Sequence, residues 1–330
     1  MINNFFFLIK IIRVFKRHAL LNLISSSIRF KILFRIFTEI IAIGTFKDQT
    51  ISKEKNGIRI AKALNELGPS FVKLGQLIST RPDIVGNEIA EDLSLLRDNL
   101  PPFSQSEAIK IIESELGNKI EAIFQNFSKP IAAASIAQVH YGEIVEGGKT
   151  ISVAIKVLRP NIDTIIYQEM ERLEWLTSFM ENFSEFKRLR PKSIIQKAKE
   201  VIKFELDLRY EAAAASELSE NTKIDETFYV PKIYWEKVSK RVLTMEKVNG
   251  TPADKIKKLM DNNFNIKKSA SNLIVNFLRQ AIRDGYFHAD LHQGNLFLNK
   301  EGNLLAVDFG IMGRLDKKNS CLLYTSPSPR

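Results

Sequence analysis

Two carboxylates and one amide toward the C-terminal end of this chain have the types and spacing that phosphoryl transfer needs. His288-Ala289-Asp290-Leu291-His292-Gln293-Gly294-Asn295 reads H-x-D-x-x-x-x-N, and Asp308-Phe309-Gly310 follows thirteen residues after the Asn. Negative charge gathers on phosphate oxygens as a phosphoryl group moves, so metal-holding carboxylates and amides must be fixed around them. In such sites the first Asp accepts or orients the attacking hydroxyl, and the Asn and second Asp hold Mg²⁺ against the phosphates. Asp290 is thus the candidate catalytic residue, Asn295 and Asp308 the candidate metal ligands, and His288 a supporting side chain. Either motif alone is weak; in this order and at this separation they are strong.

The elements that must position these residues can be read outward from them. Leu296-Phe297-Leu298 and Leu304-Leu305-Ala306-Val307 are short apolar strands, and Lys300-Glu301-Gly302-Asn303 between them is a turn signal. That hairpin brings Asn295 and Asp308 to its open end, close in space. Upstream, Ile151-Ser152-Val153-Ala154-Ile155-Lys156-Val157 is an alternating strand with a V-A-I-K run. A Lys inside an apolar strand is costly unless its ammonium reaches a partner. In kinases that partner is the nucleotide phosphates plus a helix Glu.

Where a kinase carries its Gly-rich loop, this chain has Ala132-Ala133-Ala134-Ser135-Ile136-Ala137-Gln138-Val139-His140. Small residues let backbone N–H groups approach phosphates, but Ala visits positive φ less readily than Gly, so a stiffer loop is expected. Ser135 fits either a phosphate ligand or a helix cap. The acid that pairs with Lys156 is open among Glu169, Glu171 and Glu174 on a helix over 162–182, and Glu205, Asp207 and Glu211 on a helix over 192–220. By default each of these is a solvated helix charge.

The ordered set resembles the UbiB/ADCK family of atypical, kinase-like proteins linked to ubiquinone biosynthesis. The matching residues are Lys73-Leu74-Gly75-Gln76 (K-x-G-Q), the Ala-rich run 132–140, Val153 to Lys156, Glu205-Leu206-Asp207 (E-x-D), Glu211-Ala212, His288 to Asn295 and Asp308-Phe309-Gly310. The resemblance covers roughly residues 55–315 and is especially close over Phe71–Asp83; it departs at Leu291 and Gln293, where Pro is frequent. It implies that Glu211 pairs with Lys156. It also implies that Lys73, on an N-terminal extension, reaches the active site to meet Glu205 and Asp207 and occlude a protein-substrate groove, with Gln76 part of the same motif. Ala132, Ala133, Ala134, Ser135, Ile136 and Ala137 would contact the nucleotide, and the strand ending at Met245-Glu246 with Val248 beyond it would be the hinge that meets adenine. The implied cofactors are ATP (or ADP) and Mg²⁺. The implied activity is that of an ATPase or small-molecule (lipid) kinase supporting quinone synthesis, with quinone-biosynthesis enzymes or lipid precursors as partners.

Two other readings stay in view. A phosphotransferase of the aminoglycoside or choline kinase type shares the catalytic run but would not require Lys73. A non-catalytic, nucleotide-binding scaffold would not require Lys156, Asp290, Asn295 and Asp308 together.

Composition is consistent with these assignments. The 330 residues, 45% hydrophobic and 26% charged, suffice for a large core. Cys321 is the only cysteine, which rules out an intrachain disulfide or a Cys-based zinc site. The net charge is +10, and residues 1–47 supply much of it: Lys10, Arg13, Lys16, Arg17, Arg29, Lys31, Arg35 and Lys47 against Glu39 alone. Large apolar residues interleave, from Phe5-Phe6-Phe7-Leu8-Ile9 to Ile32-Leu33-Phe34 and Ile36-Phe37, yet charges interrupt every run before the roughly 18–20 residues that span a bilayer. Such a pattern suits an interfacial helix on an anionic membrane surface, or an amphipathic helix on the protein's own core. It does not match a nucleic-acid-binding fold. The expected location is the cytoplasmic face of a bacterial inner membrane, held peripherally through the N-terminus.

The expected architecture is α+β, a protein-kinase-like two-lobed fold with a helical N-terminal extension and a truncated second lobe. Its expected parts are a basic amphipathic segment (1–50), a helical K-x-G-Q extension (51–128), an N-lobe with inserted helices (129–247), a partial C-lobe (248–320) and a non-native tail (321–330). Helices are expected at 56–80, 83–98, 105–116 with Ser104 or Ser106 as cap, 162–182, 192–220 and 266–284. Strands are expected at about 131–158, 228–235 and 241–246. Few residues follow Gly310, so the chain reads as an N-terminal fragment; family members often carry C-terminal membrane helices, which would lie outside it.

Overall fold

The computed structural model describes residues 2–21, 38, 41–45, 54–94, 101–182, 187, 190–255 and 264–315. Its helices are α1 (Ile2–Arg17), α2 (Asn56–Leu67), α3 (Pro69–Ser79), α4 (Pro82–Val85), α5 (Asn87–Ser94), α6 (Gln105–Leu116), α7 (Ile120–Ile123), α8 (Ile162–Met180), α9 (Pro191–Glu205), α10 (Leu208–Asn221) and α11 (Ile266–Leu278). The strands are β1 (Ala132–Ala133), β2 (Ala137–Glu146), β3 (Lys149–Leu158), β4 (Phe228–Tyr229), β5 (Val242–Glu246), β6 (Thr251–Pro252), β7 (Tyr286–His288), β8 (Leu296–Leu298), β9 (Leu304–Ala306) and β10 (Met312–Arg314). Arg29, Lys31, Arg35, Glu39, Lys47, the apolar run 32–37, residues 95–98 and the tail 321–330 lie outside the described residues.

Two compact units emerge. One comprises Met1–Pro102, Ala133–Ala137 and Arg159–Lys203; the other comprises Phe103–Ala132, Gln138–Leu158 and Phe204–Arg330. This division departs from the boundaries expected from sequence. The helix after Pro101-Pro102 was grouped with the extension 51–128, but α6 packs with the sheet of the second unit. Ile112 joins Phe124, Ile144, Val153, Ile155, Val157 and Val242 in one core.

The helical unit is shaped by its glycines and prolines. A single helix over 56–80 is not formed. Gly68 takes φ 122° and ψ −175°, conformations open to Gly, and Pro69 then starts α3 at a position where its missing N–H matters least. Gly86, at φ 85°, likewise separates α4 from α5. In α1, Phe7, Ile11, Ile12 and Val14 are buried while Phe5 and Phe6 are exposed. The Phe7 ring meets Phe71 at 5.9 Å, and Lys10 Nζ donates to the Leu67 carbonyl at 2.8 Å. So α1 does lay one face on the protein's own core. Among the described residues no helix is long and apolar enough to cross a membrane.

The second unit is built from two four-stranded sheets and a two-stranded pair. The first sheet runs β1-β2-β3-β5. Alternation along β3 sends Val153, Ile155 and Val157 into the core with α6 and turns Lys156, paired across from Leu243, to the other face. The α6 N-terminus carries a reciprocal capping box between Ser104 and Glu107, and Gly117 in the left-handed region ends it. The second sheet runs β4-β9-β8-β6.

Two sequence expectations fail here. Residues 228–235 were expected to extend the sheet of β5 as one strand. Instead Phe228–Tyr229 pairs parallel with β9 in the other sheet, only Ile233 bridges to Met245, and Trp235–Lys237 is a 3₁₀ turn. The expected helix over 192–220 breaks at Leu206-Asp207, where the Asp207 carboxylate caps α10 by accepting the Arg209 N–H. A capping Asp competes with helix continuation, which periodicity alone does not reveal.

Candidate active site

The strand alternation that turns Lys156 out of the core leaves its ammonium in need of anions, and it finds two. Lys156 Nζ donates to both carboxylate oxygens of Glu211 at 2.8 Å and to Asp308 Oδ2 at 3.3 Å. Burial disfavours the Lys156 charge, but the Asp308 and Glu211 carboxylates outweigh it and hold its pKa above the usual lysine value. Glu211 lies on the first turn of α10 and is itself buried, which pushes its carboxyl up against the pull of Lys156. It also accepts the Phe309 N–H at 3.4 Å, so one carboxylate reads both the strand and the D-F-G segment. Of the six acids open at the sequence level, Glu211 is the partner. Glu174 pairs instead with Lys199 at 2.7 Å.

The catalytic loop is tied to the same point through His288. Its Nδ1 accepts the Asp290 N–H at 3.1 Å, so the ring proton sits on Nε2, which donates to the Asp308 carbonyl. Burial pushes the imidazole pKa down, in keeping with a neutral ring. The hairpin forms as the sequence indicates: Leu296 faces Ala306, and the Val307 N–H reaches the Asn295 carbonyl at 3.1 Å. Asn295 Nδ2 donates to Asp290 Oδ2 at 3.2 Å and to its carbonyl at 3.1 Å. Strand β10 pairs with β7, Met312 facing His288, and fixes the segment after Gly310 against the loop. Asp290, Asn295 and Asp308 thus converge with Lys156 and Glu211 in one unit.

Asn295 and Asp308 fit a metal ion of the Mg²⁺ type. The site holds three carboxylates, Glu211, Asp290 and Asp308, against the Lys156 ammonium, and Asp308 is half-exposed, its Oδ1 accepting the Gly310 N–H at 3.0 Å. Among the described residues no group of three or more His, Cys, Asp or Glu side chains forms a self-sufficient cage. Mg²⁺ is commonly held by one or two protein oxygens plus phosphates and water, which this set supplies.

The hinge residues are placed less simply. Glu246 accepts the Tyr229 hydroxyl and, at 3.3 Å, the Lys232 N–H, so its side chain is committed within the protein. Burial and that carboxylate push the Tyr229 hydroxyl pKa up, which keeps it a donor. The Glu246 N–H goes to the Lys232 carbonyl and the Lys247 N–H to that of Ser152, both within the protein. A cavity of about 520 Å³ opens beside Glu246, Val248 and Asn303, but Lys156, Glu211, Asp290, Asn295 and Asp308 do not line it. The side-chain network, not the cavity, marks the chemistry.

The Ala-rich segment bends from β1 into β2 and no helix starts there, so Ser135 is not a helix cap. The Ala134 N–H donates to the Ala137 carbonyl at 2.7 Å. Arg159, a residue with no sequence signal beyond ending the V-A-I-K strand, grips the Ala134 carbonyl through Nε at 3.0 Å and Nη2 at 2.8 Å. Ala132 is exposed, Ala133 and Ala134 are half-buried, and Ile136 and Ala137 are buried. Ser135 is buried and its Oγ has no hydrogen-bond partner. Lys73 and Gln76, three apart on α3, share a face and are half-buried. Glu205 ends α9, and Asp207 is engaged by Arg209 at 2.6 and 2.9 Å, which holds its carboxyl below the usual range.

A β strand with a paired Lys, a helix Glu, an H-x-D-x-x-x-x-N loop and a D-F-G carboxylate at one point define a kinase-like protein. The ABC1 atypical kinase-like domain matches residues 95–326, and the chain belongs to that family. Proteins named probable protein kinase UbiB from Pseudomonas paraeruginosa and Cellvibrio japonicus are similar to it. The first is 39% identical over 265 residues (78% of this chain, 49% of the relative), the second 36% over 322 residues (96% and 56%). The chain therefore spans about half the length of these relatives. Among solved structures, the Rv3197–erythromycin complex from Mycobacterium tuberculosis shares the fold with a TM-score of 0.53 and 25% identity, covering 77% of this chain and 65% of that one.

Proposed function

We propose that the full-length protein is a Mg²⁺- and ATP-dependent phosphotransferase or ATPase of the UbiB type, acting on a small molecule or water in support of quinone-lipid synthesis. The observation that carries this is the Lys156 ammonium held between Glu211 and Asp308. An ammonium so placed is ready to meet phosphate oxygens, and the half-exposed Asp308 is ready to turn to a metal ion. Asp290 orients the acceptor hydroxyl and takes up its proton, and His288, neutral, keeps the Asp290 backbone in line with Asp308. Asn295 and Asp308 would hold Mg²⁺, which would supply positive charge against the phosphates. Nucleotide contacts at Ser135 and Val248 are supported by the family resemblance alone. A role for the motifs of Lys73 and Gln76 and of Glu205 and Asp207 in excluding protein substrates is supported by the family resemblance alone. The quinone link rests on the family and on the relatives' name.

The membrane part of the reading is supported by α1, where exposed Phe5 and Phe6 stand beside exposed Lys10 and Arg13. That mix suits an anionic leaflet, the cytoplasmic face of a bacterial inner membrane. The test is ATP hydrolysis by the full-length protein with and without anionic liposomes, against Asp308→Asn. Liposome-stimulated turnover that is lost in the variant is expected. Nucleotide bound but never turned over would overturn catalysis and leave a nucleotide-binding scaffold.

A further inference from the structure

The catalytic loop hangs from a turn that the kinase motifs do not include. After α11 the backbone widens into an i→i+5 turn over Arg279–Asp284, closed by the Gly285 N–H on the Gln280 carbonyl. Such turns are rare and recur at functional sites. Two flanks hold this one. Arg279 and Arg283, four apart, both reach the buried carboxylate of Asp225, Arg283 at 2.7 and 3.0 Å and Arg279 at 3.2 Å. Arg283 Nη2 also donates to the Asn221 carbonyl at 3.2 Å, the last residue of the helix that carries Glu211. On the other flank Gln280 is fully buried, and its Oε1 accepts the His288 N–H at 3.2 Å.

A backbone N–H only donates, so the carboxamide must turn its oxygen to His288. The other end, Nε2, is buried with no partner. A Leu or Met would fill this space without stranding a donor, so the contact with His288 is what the polar side chain contributes. His288 in turn accepts the Asp290 N–H and donates to the Asp308 carbonyl. We propose that Gln280 is a positioning residue: through the His288 backbone it sets the register of Asp290 against Asp308, while the Asp225–Arg283 grip ties the same turn to the Glu211 helix. The inference rests on the phosphoryl-transfer reading for its kinetic consequence, though not for its structural one.

Gln280→Met keeps volume and removes the acceptor; Gln280→Glu keeps an acceptor oxygen; Gln280→Asn keeps the amide but withdraws it by one methylene. In the full-length protein, Gln280→Met and Gln280→Asn should lower kcat for ATP by at least roughly tenfold, because a displacement of about 1 Å is enough to cost on the order of 100-fold. KM for ATP should stay within about twofold, since Lys156 and Glu211 are untouched, and Gln280→Glu should restore most of kcat. Amide exchange should speed up selectively at residues 288–290 in the first two variants. An unchanged kcat, a Gln280→Glu as impaired as Gln280→Met, or unchanged exchange at 288–290 overturns the proposal. If the wild type shows no turnover, the phosphoryl-transfer reading fails on its own. The exchange comparison then decides the positioning role alone: selective loss of protection supports it and none overturns it.

Discussion

Lys156 Nζ stands 2.8 Å from each carboxylate oxygen of Glu211, although 55 residues of chain separate them. Both side chains are largely buried, 16% and 7% exposed, so each supplies the other's counter-charge in place of water. Removing Lys156 strands the buried Glu211 carboxylate, and removing Glu211 leaves the Lys156 ammonium with the half-exposed Asp308 alone. Lys156→Met or Glu211→Gln should therefore destabilise the fold by about 3–5 kcal/mol, and the double variant should lose less than the sum by about 1–3 kcal/mol. Urea denaturation of the four proteins measures this. Strict additivity would show that the pair is not coupled.

Asp308 shares Lys156 with Glu211, which sets an order of events for the metal. With the ammonium on Asp308 Oδ2 and few other acids nearby, divalent cations should bind poorly without nucleotide. Mn²⁺ titration followed by electron paramagnetic resonance should show tight binding only when ATP is present. Lys156→Met should strengthen nucleotide-free Mn²⁺ binding, and Asp308→Asn should abolish both. Equal Mn²⁺ affinity with and without ATP would refute the arrangement.

His140 gives a pH dependence of defined sign. Its ring is buried and stacked on Phe127 at 4.5 Å, with Nδ1 donating to the Ser128 carbonyl at 2.8 Å and Nε2 accepting from Gln138 Nε2 at 2.9 Å. Burial pushes its pKa below the ordinary 6.5, with partial opposition from the Ser128 carbonyl. The folded state thus favours the neutral ring, so this contribution is complete above 6.5 and is lost as pH falls through the lower folded-state value. Protonation would set two donors against each other at Gln138, whose Oε1 is holding the Phe103 N–H. The urea midpoint should be flat above pH 6.5 and fall below it, less steeply in His140→Phe; an identical slope in that variant would remove His140 as the cause. His288 is also depressed by burial, so its contribution has the same sign.

Asp225 carries the acid limb of the same profile. Arg283 beside it holds its carboxyl below the usual range, so its stabilisation is present above the unfolded value near 3.8 and is lost as pH falls through the folded one. Asp225→Asn should cost about 1–3 kcal/mol, less than a fully buried pair because water reclaims the partly exposed guanidiniums. Chemical denaturation at pH 7 reads the loss directly, and no loss would mean the grip on the π turn is passive.

What the sequence determined by itself was local or ordered along the chain. The H-x-D-x-x-x-x-N and D-F-G runs, the turn between Leu298 and Leu304, and the Ser104 cap with its closing Gly117 follow from rules that act over a few residues. The alternation that exposes Lys156 on one face of β3 is of the same kind. The family motifs were legible for the same reason. Spacing left six acids open as the partner of Lys156; the family resemblance implied Glu211, and the tertiary structure shows why, because the pairing depends on how α10 docks. Only the tertiary structure decided that 192–220 breaks at Asp207, that Gly68-Pro69 splits 56–80, and that Phe228-Tyr229 joins β9 rather than the sheet of β5. In each case a local pattern admitted two outcomes, and long-range burial or a capping hydrogen bond chose between them. Gln280 shows the limit most plainly: a Gln on a helix carries no signal in sequence, and its role exists only where the turn brings its oxygen to the His288 N–H.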